Sequence, residues 1–241
     1  MSALFACEDP ATWRGVYEKY WDVVEAKAKG KKPGKLLNLD KWYQEELPTL
    51  ISSRPDKHVT QSELVKLMEW KKFNTPTQKI GKFRPRLQQL AASNSEDAVE
   101  KCSRKAFSLL PDMQAAIAEL SSLKGVGPAT ASAVLAAGAP EQTAFMSDEA
   151  MESVPGLKPI QYTAKHYALY LGKMVERTEK LNKVDPQKDW TPHRLELCLW
   201  AMTIAEQQKL PLLKDLKAGS VAEKCSDADT DPRPAKKLKT R

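Results

Sequence analysis

No stretch of the 241 residues approaches the roughly 18 consecutive apolar side chains that a membrane-crossing helix needs. The opening residues Met1 to Cys7 hold neither a basic segment nor a long apolar one, so no secretory signal is expected there. Cysteine is sparse. Cys7, Cys102, Cys198 and Cys225 lie far apart and no CxxC occurs. That spacing argues against a zinc knuckle or a clustered iron–sulfur loop and predicts reduced thiols inside a cell, with no metal. Alternating apolar and polar residues of the kind that mark a half-buried strand are missing as well, so the chain reads as all-α.

The residues that are present suit a folded, basic protein. Hydrophobic residues make up 41% and aromatics 7%, enough to bury one good core or two small ones. Lysine and arginine (38) outnumber aspartate and glutamate (31), a net charge of +7 that suits a polyanionic partner.

Helix signals run the length of the chain. Asp9 followed by Pro10 predicts a helix start, continued to about residue 28, with Trp13, Tyr17, Tyr20, Trp21 and Val24 on one face. Such a stripe is expected to be core rather than a base-stacking platform. Residues 27–35 read as a solvated linker. Residues 39–52 carry Trp42, Tyr43, Leu47, Leu50 and Ile51, with Pro48 expected to break any single long helix. Thr60 to Glu63 and Ser93 to Glu96 both fit capping boxes. Met113, Ile117, Leu120 and Leu123 share one helical face, and a helix is predicted from Pro128 to about Ala137. Ser147-Asp148-Glu149 looks like the cap and first turn of another helix. A long amphipathic helix carries Ile160, Ala164, Tyr167, Leu171, Met174 and Val175, and Thr191-Pro192 opens the last one. His166 and His193 stand alone on helices and read as surface or satisfied core groups, not ligands.

Leu123-Lys124-Gly125-Val126-Gly127-Pro128-Ala129-Thr130-Ala131 is the most informative stretch. It ends one apolar-periodic segment, turns on two glycines and opens the next helix. Val126 plugs back between the helices, while the glycines permit close backbone approach. N–H groups of Gly125, Val126, Gly127 and Ala129 gather at a helix start, a ready anion site that Lys124 adjoins. The plain alternative is a packing corner with a glycine C-cap.

This stretch resembles the helix-hairpin-helix, whose pattern is apolar-x-Gly-apolar-Gly-x-x-x-Ala, through Leu123, Gly125, Val126, Gly127 and Ala131. Asp148 follows Ala129 by 19 residues, after the Gly138/Pro140 loop. Hairpin, loop and aspartate together resemble the helix-hairpin-helix DNA glycosylase superfamily, most strongly from Asp112 to Glu149. That resemblance implies a two-lobed helical bundle with lobes at 55–154 and at 1–54 with 155–215, and a base-binding cleft between them. It implies a hairpin that grips DNA phosphates and Asp148 as the catalytic carboxylate. Asp148 would stabilise oxocarbenium character on the sugar of an extruded base. A capping role for Asp148 is the bland alternative, and the two are not exclusive. Where strand-cleaving members of the family carry a nucleophilic lysine, this chain has Ala129, so lyase activity is not expected. The iron–sulfur cysteines of some branches are missing too. No cofactor is expected, although a monovalent cation at the hairpin is compatible with the motif. Trp70, Phe73 and Phe83 are conceivable base-reading residues, but nothing in the sequence selects them.

Two basic segments complete the reading. Residues 71–86 contain six basic residues and no acidic one, and Lys79, Lys82, Arg84 and Arg86 are candidate DNA contacts. Residues 216–241 form a polar tail with too few apolar residues to fold. It ends in Lys236, Lys237 and Lys239 beside proline, a pattern that suits a nuclear import receptor. A nuclear, DNA-binding, monofunctional base-excision enzyme is the expectation. A non-catalytic hairpin module binding DNA or a protein partner is the alternative, and the oligomeric state is left open.

Overall fold

The computed structural model describes residues 3–29, 34–74 and 84–213. Among them no strand occurs and the regular elements are all helical, as the missing alternation predicts. In order, the helices are α1 (Ala3–Ala6), α2 (Pro10–Glu18), α3 (Tyr20–Ala28), α4 (Lys35–Lys41), α5 (Leu47–Ser53), α6 (Gln61–Asn74) and α7 (Arg84–Ala92). They continue with α8 (Glu96–Ser108), α9 (Met113–Leu120), α10 (Pro128–Gly138), α11 (Asp148–Ser153), α12 (Ala164–Val184) and α13 (Pro192–Gln207). No helix among the described residues is long and apolar enough to cross a membrane.

Two helices are apolar all round and therefore central. Every residue of α10 from Thr130 to Gly138 is buried, and so is every residue of α13 from Leu195 to Ala205. Helices α5, α6 and α9 pack on α10, whereas α2, α3, α11 and α12 pack on α13. One continuous cluster of buried side chains spans both groups. Alanines at 131, 133, 136 and 137 let neighbours approach α10 closely. At Gly138 an added Cβ would come within 2.4 Å of the Phe107 ring.

Local side chains start the helices where the sequence predicts. Asp9 accepts from the Ala11 and Thr12 amides at 3.1 and 2.9 Å, and Pro10 follows it. Thr60 and Glu63 form the reciprocal capping box: the Thr60 amide donates to Glu63 and the Glu63 amide to Thr60 Oγ1. Three details differ from the sequence reading. The first long helix divides at Lys19, so that α2 and α3 pack separately on α13. Pro48 breaks nothing: residues 42–46 form a π-helical turn between α4 and α5, and Pro48 occupies the first turn of α5, where its missing N–H is tolerated. The cap of α8 is Ser95, which accepts from the Ala98 amide at 3.2 Å, and not Ser93.

Candidate nucleic-acid interface

Helix α9 begins at its cap Asp112 and ends at Ser121, and a tight turn leads into α10. Leu123 and Val126 are buried, the latter plugging back between the helices as its apolar character requires. Gly127 is the cap residue of α10 in extended conformation, and its carbonyl accepts from the Thr130 and Ala131 amides, each at 2.9 Å. A glycine cap has no side chain to satisfy the first N–H groups of a helix, and Pro128 removes one of them. The space in front of the helix start is open, with nothing within 4 Å of a Cβ placed on Gly127.

The two glycines do different work. Gly125 has φ +76°, and a Cβ there would lie 2.5 Å from Leu87 O and 2.8 Å from Ala91 N. It lets the turn press against the backbone of α7. Around Gly127 nothing lies within 4 Å of an added Cβ, so this glycine faces open space.

Asn94 lies within the capping-box pattern of residues 93–96, but its side chain braces the turn instead. Its Oδ1 accepts from the Lys124 amide at 3.0 Å, and its Nδ2 donates to the Lys124 and Ala91 carbonyls at 3.0 and 2.9 Å. Asn94→Ala removes this brace and is expected to destabilise the protein by about 2–3 kcal/mol in urea unfolding. Retained stability would show that the turn holds itself.

A cleft of about 490 Å³ opens beside the hairpin. Gly125, Val126, Gly127, Pro128, Ala129 and Thr130 line one side, and Asp148 and Tyr162 line another. Met68, Lys71, Lys72, Leu87, Leu90, Phe145 and Met146 complete it. The cleft thus brings Asp148 and the hairpin turn together. Lys124, although held by its backbone, points an exposed side chain outside this lining. Arg86 is exposed on α7 and also outside it. Lys79, Lys82 and the Arg84 side chain lie outside the described residues, as do Phe83, the Phe73 side chain and Lys236, Lys237 and Lys239. Trp70 is core: it stacks on Tyr43 at 3.6 Å between centroids and donates Nε1–H to Asp40 at 2.7 Å.

Asp148 is the first residue of α11, but the cap is Ser147, which accepts from the Ala150 amide at 3.4 Å. The Asp148 side chain is 6% exposed, and Oδ1 accepts from the Tyr162 hydroxyl at 2.6 Å. Sequence reasoning missed Tyr162, which follows a turn-rich segment and carries no local pattern. The approach to Asp148 is fixed from both sides. Ser132 Oγ on α10 accepts from the Met146 amide at 3.1 Å, and Ser147 Oγ donates to Glu196 on α13 at 2.5 Å. Burial pushes the Glu196 carboxyl up to about 8, against the opposing Ser147 hydrogen bond. Burial likewise raises Glu149 to about 7, with Lys27 opposing.

His166 Nε2 and His193 Nδ1 are buried without a hydrogen-bond partner among the described residues, so neither ring is the surface or satisfied core group expected from the sequence. His193 contacts Gln44 Oε1 through Nε2 at 2.8 Å, and burial first, then Arg194, lowers it to about 4. Among the described residues no three His, Cys, Asp or Glu side chains gather as metal ligands. Cys7, Cys102 and Cys198 are free thiols.

Residues 112–137 match the helix-hairpin-helix motif. The match begins at the Asp112 cap and ends within the last turn of α10. The comparisons with curated proteins and with solved structures gave no match. A helix-hairpin-helix points to nucleic-acid binding in general, in keeping with the open helix start at Gly127 and the chain's positive balance.

Proposed function

We propose that this chain grips the DNA backbone with its helix-hairpin-helix and hydrolyses the N-glycosidic bond of an extruded base, with Asp148 as the catalytic carboxylate. The observation that carries this reading is the shared cleft: the open start of α10 and the carboxylate of Asp148 line one cavity of about 490 Å³, large enough for a flipped nucleotide. Phosphates held at α10 would fix the strand. The sugar would enter beside Asp148, whose charge stabilises the oxocarbenium character that develops as the bond to the base breaks. Tyr162 donates to one carboxylate oxygen and so fixes the orientation of the Asp148 side chain in the cleft. Nuclear import through Lys236, Lys237 and Lys239 belongs to the same reading. A binding module without chemistry is the second reading, favoured by the 6% exposure of Asp148.

The test is base release from a panel of duplexes, each carrying one damaged or mismatched base, beside duplex affinity measured at several salt concentrations. Release from at least one substrate is expected, reduced by on the order of 100- to 1,000-fold in Asp148→Asn while affinity stays within a few-fold. Binding that weakens with salt but releases nothing selects the second reading. Release undiminished in Asp148→Asn removes the carboxylate from the mechanism.

A further inference from the structure

A second cavity, of about 540 Å³, opens between α2, α3, the π-helical turn and the start of α13. It shares no lining residue with the hairpin cleft, so what it binds is independent of the reading of that cleft. The aromatic stripe of the first helices divides here. Trp13, Tyr20 and Val24 are buried, whereas Tyr17 and Trp21 are only half-buried and line the cavity with Tyr20. Tyr20 and Trp21 stand edge to face, 5.3 Å between ring centroids with their planes at 75°, and so make a corner. The Arg194 guanidinium lies over the Tyr17 ring at 5.2 Å, a cation already held on an aromatic face of this wall.

The charged lining is acidic, in a chain whose balance is +7. Glu18, Glu45 and Asp189 share the cavity with the single guanidinium of Arg194. Asp189 is taken up by Arg194 and Arg14, which leaves Glu18 and Glu45 exposed and without an ion pair among the described residues. The hydrogen bonds add an acceptor. Tyr20 donates to Asp40 Oδ2 at 2.7 Å and therefore accepts from Gln44 Nε2 at 3.1 Å. That turns Gln44 Oε1 to His193, which donates from Nε2 at 2.8 Å. His193 Nδ1 is then a lone pair, buried with no partner among the described residues, on a ring that burial keeps neutral. Carboxylates, a lone pair and π-faces thus line one concave surface, and all of them suit a positive charge. A phosphate would instead meet two uncompensated carboxylates. A bare lysine ammonium is strongly hydrated, whereas methyl groups spread the charge and pack on the rings. We infer that this cavity binds a methylated ammonium group, carried either by a free amine or by a modified lysine side chain of a protein.

The full chain is titrated calorimetrically with choline and with its uncharged carbon isostere, in which a tert-butyl group replaces the trimethylammonium. Choline is expected to bind, and the isostere to bind about tenfold more weakly. Trp21→Ala is expected to weaken choline binding by about 5- to 10-fold, while Trp21→Phe, which keeps a ring in the corner, stays within about threefold of the parent. Glu18→Gln combined with Glu45→Gln removes the two free charges on exposed side chains and is expected to weaken choline by about 3- to 10-fold at an unchanged urea midpoint. This double variant decides the matter if Trp21→Ala fails to fold. A short peptide with one trimethylated lysine separates the two sources. Tighter binding than choline assigns the site to a protein side chain, and equal or weaker binding assigns it to a free amine. No binding of choline or peptide up to about 10 mM, equal binding of the isostere, or parent-like choline binding by the folded variants overturns the inference. Duplex binding through the hairpin is expected to be unaffected by choline, so the two readings fail separately.

Discussion

Gly125→Ala is expected to destabilise the protein by about 2–5 kcal/mol, whereas Gly127→Ala changes stability by less than about 1 kcal/mol. The two residues sit two positions apart in one motif, yet their surroundings are opposite. At Gly125 a side chain meets two penalties. Its φ of +76° is a left-handed conformation that costs an L-residue about 1–2 kcal/mol. A Cβ there would also stand 2.5 Å from Leu87 O and 2.8 Å from Ala91 N, both backbone atoms of α7 that no rotamer change can move. Relief requires the turn and α7 to part, and such overpacking costs about 1–3 kcal/mol more. Gly127 has φ −115°, open to any residue, and its Cβ position is empty to 4 Å. Its value lies outside the fold, where a bulky side chain would stand between the helix start and a phosphate. Gly127→Leu is accordingly expected to keep its urea midpoint and helical circular dichroism while losing about tenfold in duplex affinity, the size of one charge-assisted contact. Parent-like binding by a well-folded Gly127→Leu would mean that phosphate is not held at the start of α10.

This contrast marks how far the sequence could be read. Asp9, Thr60 with Glu63, Ser147 and Thr191 all start helices in the structure, because a cap is made by residues adjacent in sequence, whereas Ile160 lies before Thr163, the cap of the helix expected to carry it. The hairpin was legible for the same reason, its turn being specified by a run of nine residues. Packing between distant segments was not. Nothing near Asn94 says that its amide will bridge the Lys124 peptide, and nothing near Gly125 says that α7 will lie against it. Pro48 looked like a break because its accommodation depends on the π-helical turn before it. In the candidate site, Asp148 was visible through its spacing from the hairpin. Tyr162 and Lys71, which complete the cleft, come from segments with no motif of their own. Trp70 shows the converse: an aromatic beside basic residues suggests base stacking, but Tyr43 and Asp40, far away in sequence, make it core.

The second large effect concerns the acid behind the Asp148 helix. Glu196 is fully buried on α13 and accepts the hydroxyl of Ser147, the cap of α11. Burial disfavours its charged form and raises the carboxyl from 4.5 to about 8. A carboxyl whose folded value lies above its unfolded value contributes stability that is fully present below about pH 4.5 and is lost as pH rises through about 8. Ionisation of Glu196 is therefore expected to cost the fold about 2–4 kcal/mol between pH 5 and pH 8.5. Glu149, raised to about 7 on the adjoining helix, acts with the same sign. Glu196→Gln keeps an oxygen to accept the Ser147 hydroxyl and has no charge to bury. It should match the parent near pH 5, exceed it at pH 8.5, and retain only the opposed pH dependences of Glu149 and of His193, whose lowered value of about 4 makes stability rise with pH up to about 6.5. Urea unfolding at pH 5, 7 and 8.5 reads this directly, and parallel curves for the two proteins would show that Glu196 does not titrate against the fold. Because Ser147 starts the helix that presents Asp148, ionisation of Glu196 also bears on the cleft. The charged form is the stronger acceptor for Ser147, so α11 is held more tightly at the pH where the fold as a whole is weaker.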